Sequence, residues 1–238
     1  MTADSRPTVR RRCYLVRHGQ VDYFDEQGRP LDPRGVSLSR TGTHQARALG
    51  QVLQGVRLGR ALCSDYPRAR QTLDLVLMER DMPIESLPEL REIRAGRLRE
   101  IPREELRDRV LGTYRSAGDP GASFLGGERW DAFQARVLSR FLELLQDPGW
   151  EHLLIVSHDA VNRILLGWAT GLGLSGIAAF EQDNACLNVI DIDMQDCQVV
   201  GAMVRLLNFT PYDPHKAGIH ETVLEHLFSA IQPDGLKA

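Results

Sequence analysis

Apolar positions along the chain fall into short unbroken runs alternating with longer, periodic ones. Residues 13–16, 61–63 and 153–156 are short runs bounded by turn residues. They read as buried strands, because such runs suit a pleated core position better than a helix. Between them, apolar residues recur at helical spacing. In 41–53 they are Ala46, Leu49, Val52 and Leu53, with Gly55 as a stop; in 68–78 they are Leu73, Leu75, Val76 and Leu77. Further helices are predicted over 102–114, which is charged and amphipathic, over 129–145, from the Ser157-His158-Asp159-Ala160 start to about residue 170, and over 221–231, with Val223, Leu224, Leu227, Phe228 and Ile231 on one side. Residues 184–192 and 198–207 read as two closing strands with 194–197 as their turn. The stretch 21–39 holds Gly28, Pro30, Pro33 and Gly35 and reads as a long loop, and 118–127 is a glycine-rich loop.

Composition changes this picture little. The 238 residues are 42% hydrophobic and 26% charged, enough to bury a sizeable core as one domain over 13–207. Residues 1–12 are polar, include Arg10-Arg11-Arg12, and read as a disordered, solvated lead-in; residues 208–238 read as a C-terminal extension whose helix docks on the body or on a second copy in a homodimer. No apolar run approaches the ~20 residues that span a bilayer, and the N-terminal arginines have no apolar segment after them, so the expected setting is cytoplasmic with no membrane partner. A net charge of -3 argues against nucleic acid as a partner. Cys13, Cys63, Cys186 and Cys197 form no Cys-x-x-Cys pair and read as reduced residues, three of them in apolar runs. Among the 29 basic residues only Lys216 and Lys237 are lysines, so any anion site is built from guanidinium groups, whose planar forks suit phosphate oxygens.

The candidate chemistry lies where the strands end. The first run stops in Arg17-His18-Gly19, the last in Ser157-His158-Asp159, and in an open α/β sheet the carboxyl ends of strands face the ligand crevice. Gly19 lets the backbone turn and come close to whatever sits there. The strand at 61–63 leads into Ser64-Asp65-Tyr66-Pro67-Arg68-Ala69-Arg70-Gln71-Thr72. Arg68 opens the helix near the crevice, and Arg70, two residues on, points about 200° away. A fourth segment, Leu90-Arg91-Glu92-Ile93-Arg94-Ala95-Gly96, carries a carboxylate before a turn. The start of the helix after His158 offers free N–H groups and a positive dipole end to an anion.

In order and spacing these four segments, with Leu38-x-x-x-Gly42-x-x-Gln45-Ala46 and Gly126-Gly127-Glu128, resemble the histidine phosphatase superfamily (branch 1), the phosphoglycerate-mutase-like phosphatases and mutases. The resemblance covers most of 13–204. It implies a three-layer α/β/α fold around a mostly parallel sheet, with a cap over about 98–127. It also implies a metal-independent phosphomonoesterase without cofactor, acting on a small phosphorylated metabolite through a phosphohistidine. His18 is then the nucleophile, Arg17, Arg68 and protonated His158 hold the phosphoryl oxygens near Gly19, and Glu92 protonates the leaving group. The alternatives are a phosphoglycerate-type mutase, disfavoured because 92–128 lacks a long basic insertion, and a non-catalytic phosphate-binding protein on the same fold. Two departures stand out. Where relatives carry a Thr and an Asn after the glycine, this chain has Val21 and Phe24, so Arg29 or Arg34 of the loop is expected to supply the missing contact. Where relatives often have Gly-Gly after the second histidine, this chain has Asp159-Ala160. Asp159 is expected either to cap the helix or to share proton donation, as in the His-Asp pair of the acid-phosphatase branch. His44 reads as solvated, His152 as a turn residue, and His215, His220 and His226 have no metal-ligand spacing.

Overall fold

A computed structural model describes residues 8–231, with the side chains of Ala230 and Ile231 excepted. Six strands, β1 (Val9–Arg17), β2 (Arg60–Cys63), β3 (Ile84–Ser86), β4 (His152–Ser157), β5 (Leu187–Gln195) and β6 (Gln198–Phe209), form one sheet in the order β3-β2-β4-β1-β5-β6. The pairs β3-β2, β2-β4 and β4-β1 are parallel; β1-β5 and β5-β6 are antiparallel. The helices are α1 (Arg40–Leu53), α2 (Pro67–Leu77), α3 (Arg103–Gly112), α4 (Trp130–Gln146), α5 (Asp159–Ala169) and α6 (Val223–Ile231).

Side chains alternate across the strands, so each strand feeds two cores. Cys13, Leu15, Leu153 and Ile155 pack with α4 and α5 on one face; Tyr14, Val16, Leu154 and Val156 pack with α1 and α2 on the other. The three layers expected from the resemblance are therefore present. Trp130, Phe133 and Phe141 of α4 are fully enclosed, each contributing roughly 1.5–3 kcal/mol of burial. Strand β3 was not foreseen, because Ile84-Glu85-Ser86 is too short and polar to show a pattern. It is an edge strand held partly by the Arg60–Glu85 ion pair, 2.7 Å.

The N-terminal lead-in needs correction. Residues 9–12 are not disordered but form the first half of β1, because each arginine meets acceptors far along the chain. Arg10 pairs with Asp193 (2.7 Å) and Arg12 with Asp191 (2.6 Å), both on the neighbouring β5. Arg11 donates to the carbonyls of Leu145 and Asp147 and lies over the Trp150 ring. Residues 1–7 of that lead-in and 232–238 of the C-terminal extension lie outside the described residues. Val52 is exposed rather than on the buried face of α1. The β5–β6 turn is a two-residue hairpin, Asp196-Cys197, with φ of 50° and 62°, the twist that suits flanking strands. Helix α6 docks on the body: Leu224 is buried in the α4/α5 core and the Val223 N–H donates to Glu181 Oε1 at 3.1 Å. Among the described residues no helix is long and apolar enough to cross a membrane.

Candidate active site

Strand register assembles the site. In the parallel β1-β4 pair Arg17 stands beside Ser157, and in β2-β4 Cys63 stands beside Val156. The next residues, His18, His158 and Ser64, leave the sheet together at the carboxyl ends of these three strands. The His18 N–H donates to the Ser157 carbonyl at 2.9 Å, and the two imidazole rings lie 5.2 Å apart, edge to face.

The hydrogen bonds assign the tautomers. His18 Nδ1 is 2.7 Å from the Gly19 carbonyl, which can only accept, so Nδ1 carries the proton and Nε2 the lone pair. Arg68 Nε, 3.2 Å away, donates to that lone pair. Arg68 also sets Nη2 3.3 Å from His158 Nδ1, donates through Nη1 to the Pro33 carbonyl, and lies over the Tyr66 ring at 4.8 Å. The same logic makes His158 Nε2 the donor to Ser64 Oγ, 2.8 Å. Arg17 donates through Nη1 to the Gln182 carbonyl at 2.7 Å, while its buried Nε has no partner. Burial, then the charges of Arg68 and Arg17, hold His18 well below the ordinary imidazole range. Burial and Arg68, with His18 and Arg17, do the same to His158. Both imidazoles are neutral here, and His158 takes up a proton only with an anion beside it.

Glu92 reaches the same place from the loop after a short 3-10 turn, Pro88–Leu90. Its carboxylate accepts from the Ile93 N–H at 3.0 Å and, at the start of α5, from the Ala160 N–H at 3.2 Å. Burial, then the charge of Asp159, push its carboxyl up to about 7 against the pull of the Ile93 N–H, Arg17 and Arg68. Glu92 borders a cavity of about 640 Å³ lined also by Arg34, Tyr66, Arg91, Arg94 and Arg136.

The other motif residues hold this centre in place. A Cβ on Gly42 would lie 2.1 Å from the Gln20 carbonyl oxygen, and one on Gly19 would lie 2.6 Å from that of Gly42. Backbone thus packs on backbone between α1 and the turn after His18. Gln45 Oε1 accepts from the Gln20 N–H (2.9 Å), and Thr72 Oγ1 accepts from the Gly19 N–H (3.1 Å). Glu128 accepts from the Arg94 N–H at 3.1 Å and pairs with Arg136, fixing the chain that carries Glu92. Gln45, Ser64, Thr72 and Gln182 were not singled out beforehand. The first three lie inside quoted motifs, so their presence was visible and their partners were not; Gln182 lies in no motif.

Arg17, His18, Gly19, Arg68, Glu92 and His158 are brought together. Arg29 is not: it is exposed and paired with Asp25 at 2.7 Å, because the 21–39 loop folds back on itself there. Arg34 reaches the cavity wall. Val21 is buried and bridged to Leu38, a packing position. Asp159 does not cap α5. Its carboxylate pairs with Arg163 (2.6 Å) and accepts from the Tyr114 hydroxyl (2.6 Å), while Glu92 takes the Ala160 N–H. His44 is exposed, His152 opens β4 with its ring 5.9 Å from Tyr14, and His226 lies 3.8 Å from Glu221. Among the described residues no three His, Cys, Asp or Glu side chains are grouped to hold a metal ion.

Known proteins resemble this chain in sequence and in fold. An adenosylcobalamin/alpha-ribazole phosphatase of Escherichia coli is 28% identical over 205 residues, 83% of this chain and 95% of its own; that of Salmonella typhimurium is 31% identical over 76% of this chain and 90% of its own. A probable phosphoglycerate mutase of Photorhabdus laumondii is 29% identical over 75% and 83%. The crystal structure of a putative alpha-ribazole-5'-P phosphatase from Escherichia coli superposes with a TM-score of 0.66 at 29% identity, covering 83% of this chain and 96% of that one. The family profile of the histidine phosphatase superfamily (branch 1) matches residues 13–204, the span that carries both histidines, Arg17, Arg68 and Glu92. With that match and this fold, the chain is an α/β enzyme of the phosphatase class and belongs to the histidine phosphatase superfamily (branch 1).

Proposed function

We propose that the protein hydrolyses a small phosphomonoester without a metal ion, through a phosphohistidine on His18. The observation that carries the reading is the locked His18 ring: Nδ1–H is held on the Gly19 carbonyl, so the lone pair sits on Nε2, where Arg68 now donates. A neutral imidazole approaches a phosphate dianion without the repulsion an anionic nucleophile meets, and the guanidiniums of Arg17 and Arg68 neutralise the oxygens.

An incoming phosphoryl group takes Arg68 from Nε2, freeing the lone pair to attack phosphorus. As the P–N bond forms, the P–O ester bond breaks and the leaving oxygen takes the Glu92 carboxyl proton. Water then attacks the phosphohistidine and gives a proton back to Glu92; the P–N bond breaks, the pair returns to Nε2, and phosphate departs. A carboxyl titrating at about 7 is suited to both donating and accepting near neutral pH. Charge on the three non-bridging oxygens falls to Arg17, Arg68 and His158, which becomes imidazolium beside the dianion.

Relatives named alpha-ribazole phosphatases make α-ribazole 5'-phosphate, a ribosyl phosphomonoester, the first substrate to try. Relatives named probable phosphoglycerate mutases support a second reading, transfer of the phosphoryl group to a sugar-acid hydroxyl in place of water. The four free thiols support a cytoplasmic setting for either. The test is rapid quench with a 32P-labelled phosphomonoester. Acid-labile, alkali-stable label is expected on the wild type and not on His18→Ala. Label or full turnover in His18→Ala sinks the reading, and interconversion of 3- and 2-phosphoglycerate faster than phosphate release selects the mutase.

A further inference from the structure

Resting on Glu92 as the acid, we infer that Asp159 is a positioning residue for Glu92, its carboxylate fixed between Arg163 and Tyr114 so that it governs the Glu92 proton instead of donating one. Asp159 and Glu92 bracket one helix start: Asp159 is the first residue of α5, and the next N–H, that of Ala160, is bound by Glu92. A proton donor must face the leaving group; Glu92 borders the cavity and Asp159 does not. Oδ1 is taken by Arg163 Nε and Oδ2 by the Tyr114 hydroxyl, each at 2.6 Å, and the residue is 3% exposed.

Its partners are themselves anchored. The Arg163 guanidinium lies over the Tyr114 ring at 4.1 Å, donates through Nη1 to the Ile177 carbonyl at 3.0 Å, and pairs with Glu181 at 3.1 Å. Glu181 in turn accepts the Val223 N–H that opens α6. Elements that carry no reacting group, the segment after α3 and helix α6, are thereby joined to the carboxylate beside the acid. That is a physical use for the Asp-Ala that stands in place of Gly-Gly.

The charges acting on Glu92 set the sign. Asp159 pushes its carboxyl up and Arg17 and Arg68 pull it down, and the Tyr114 hydroxyl, bonded to Asp159, is within electrostatic reach of Glu92. Arg34, Arg91, Arg94, Arg136, Asp65, Glu89 and Glu128 line the cavity that Glu92 borders. The Asp159 charge favours the protonated form of Glu92. Removing that charge makes Glu92 easier to ionise; removing the Tyr114 hydroxyl leaves the charge less dispersed and makes it harder.

The test compares pH profiles of kcat/KM for an alkyl phosphate and p-nitrophenyl phosphate in the wild type, Asp159→Asn, Tyr114→Phe and Glu92→Gln. With the alkyl ester the alkaline limb is expected to fall by about one pH unit in Asp159→Asn and to rise in Tyr114→Phe. Opposite movements are not what general loosening of the site would produce. A limb that stays put in both variants overturns the proposal, as does an Asp159→Asn loss confined to the alkyl ester that persists on the acid plateau, where Glu92 is protonated in both proteins. Should Asp159→Asn fail to fold by circular dichroism, Tyr114→Phe decides alone, since it keeps the ring over Arg163: an upward shift supports the proposal and no shift overturns it. If Glu92→Gln costs no more with the alkyl than with the nitrophenyl ester, it is the assignment of the acid that fails.

Discussion

Among single side chains, Glu92 is the one whose chemistry and folding pull in opposite directions. Raising its carboxyl from the usual carboxylate range to about 7 favours proton transfer near neutral pH but disfavours the ionised form in the folded state. The folded value lies above the unfolded one. Stability from this group is therefore complete below roughly pH 4.5 and is lost as pH rises through about 7, by at most about 3 kcal/mol. Glu92→Gln is expected to melt higher than the wild type at pH 8, with the gap closing toward pH 5. The same variant should lose about 100-fold or more in kcat on an alkyl phosphate and far less on a nitrophenyl ester. Scanning calorimetry at the two pH values and a paired assay check both halves. A variant that loses activity without gaining stability at pH 8 would show that Glu92 is not strained as ionised carboxylate.

At the scale of elements, α1 carries no reacting group and still sets where His18 sits. Its Gly42 packs against the Gln20 backbone with no room for a Cβ. Gly42→Ala should push the helix off the turn, costing about 1–3 kcal/mol and lowering kcat as His18 shifts against Arg68. Thermal melts beside kcat measure the two, and a normal kcat would mean that the turn holds its shape without α1. This contact also explains which parts of the site could be read from sequence. The ends of β1 and β4, the Ser64–Thr72 segment and the Glu92 turn were legible because each is a local event, an apolar run meeting turn residues. The Gly42 and Gln45 pattern was visible as spacing, but its purpose lies across a gap that only the fold closes. Arg10 to Arg12 misled because their acceptors lie on β5 and at the end of α4, more than 130 residues away. Asp159 looked like a cap because a local rule predicts one, but its carboxylate goes to Arg163 one turn along α5 and to the distant Tyr114 hydroxyl, and Glu92 takes the Ala160 N–H.

For the molecule as a whole, a sheet with β1 between a parallel and an antiparallel neighbour gathers distant segments at the carboxyl ends of β1, β2 and β4. The positive charge gathered there is that of the Arg17 and Arg68 guanidiniums. EDTA is expected to leave turnover unchanged, and loss restored by a divalent ion would refute the metal-independent reading. Burial and the nearby guanidiniums of Arg68 and Arg17 hold His18 and His158 neutral, with folded values below their unfolded ones. Their contribution to stability is present above about pH 6.5 and lost as pH falls. An oxyanion favours the imidazolium and should reverse that loss. Orthovanadate is therefore expected to raise Tm more at pH 6 than at pH 8 in the wild type, and little at either pH in Arg68→Ala. Differential scanning fluorimetry reads all four values, and an equal rise at both pH values would separate anion binding from histidine protonation.

The hairpin between β5 and β6 offers an experimental handle. Cys197 is exposed at its tip, whereas Cys13, Cys63 and Cys186 are enclosed, their thiols pushed up by burial. Met194, just before the hairpin, stands opposite Val9, so the tip lies by the start of β1, roughly 30 Å from the end that carries His18. A maleimide dye or a surface tether should therefore attach at one position, on the side of the protein turned away from its crevice. The enzyme can be immobilised in a defined orientation, crevice outward, with its turnover intact.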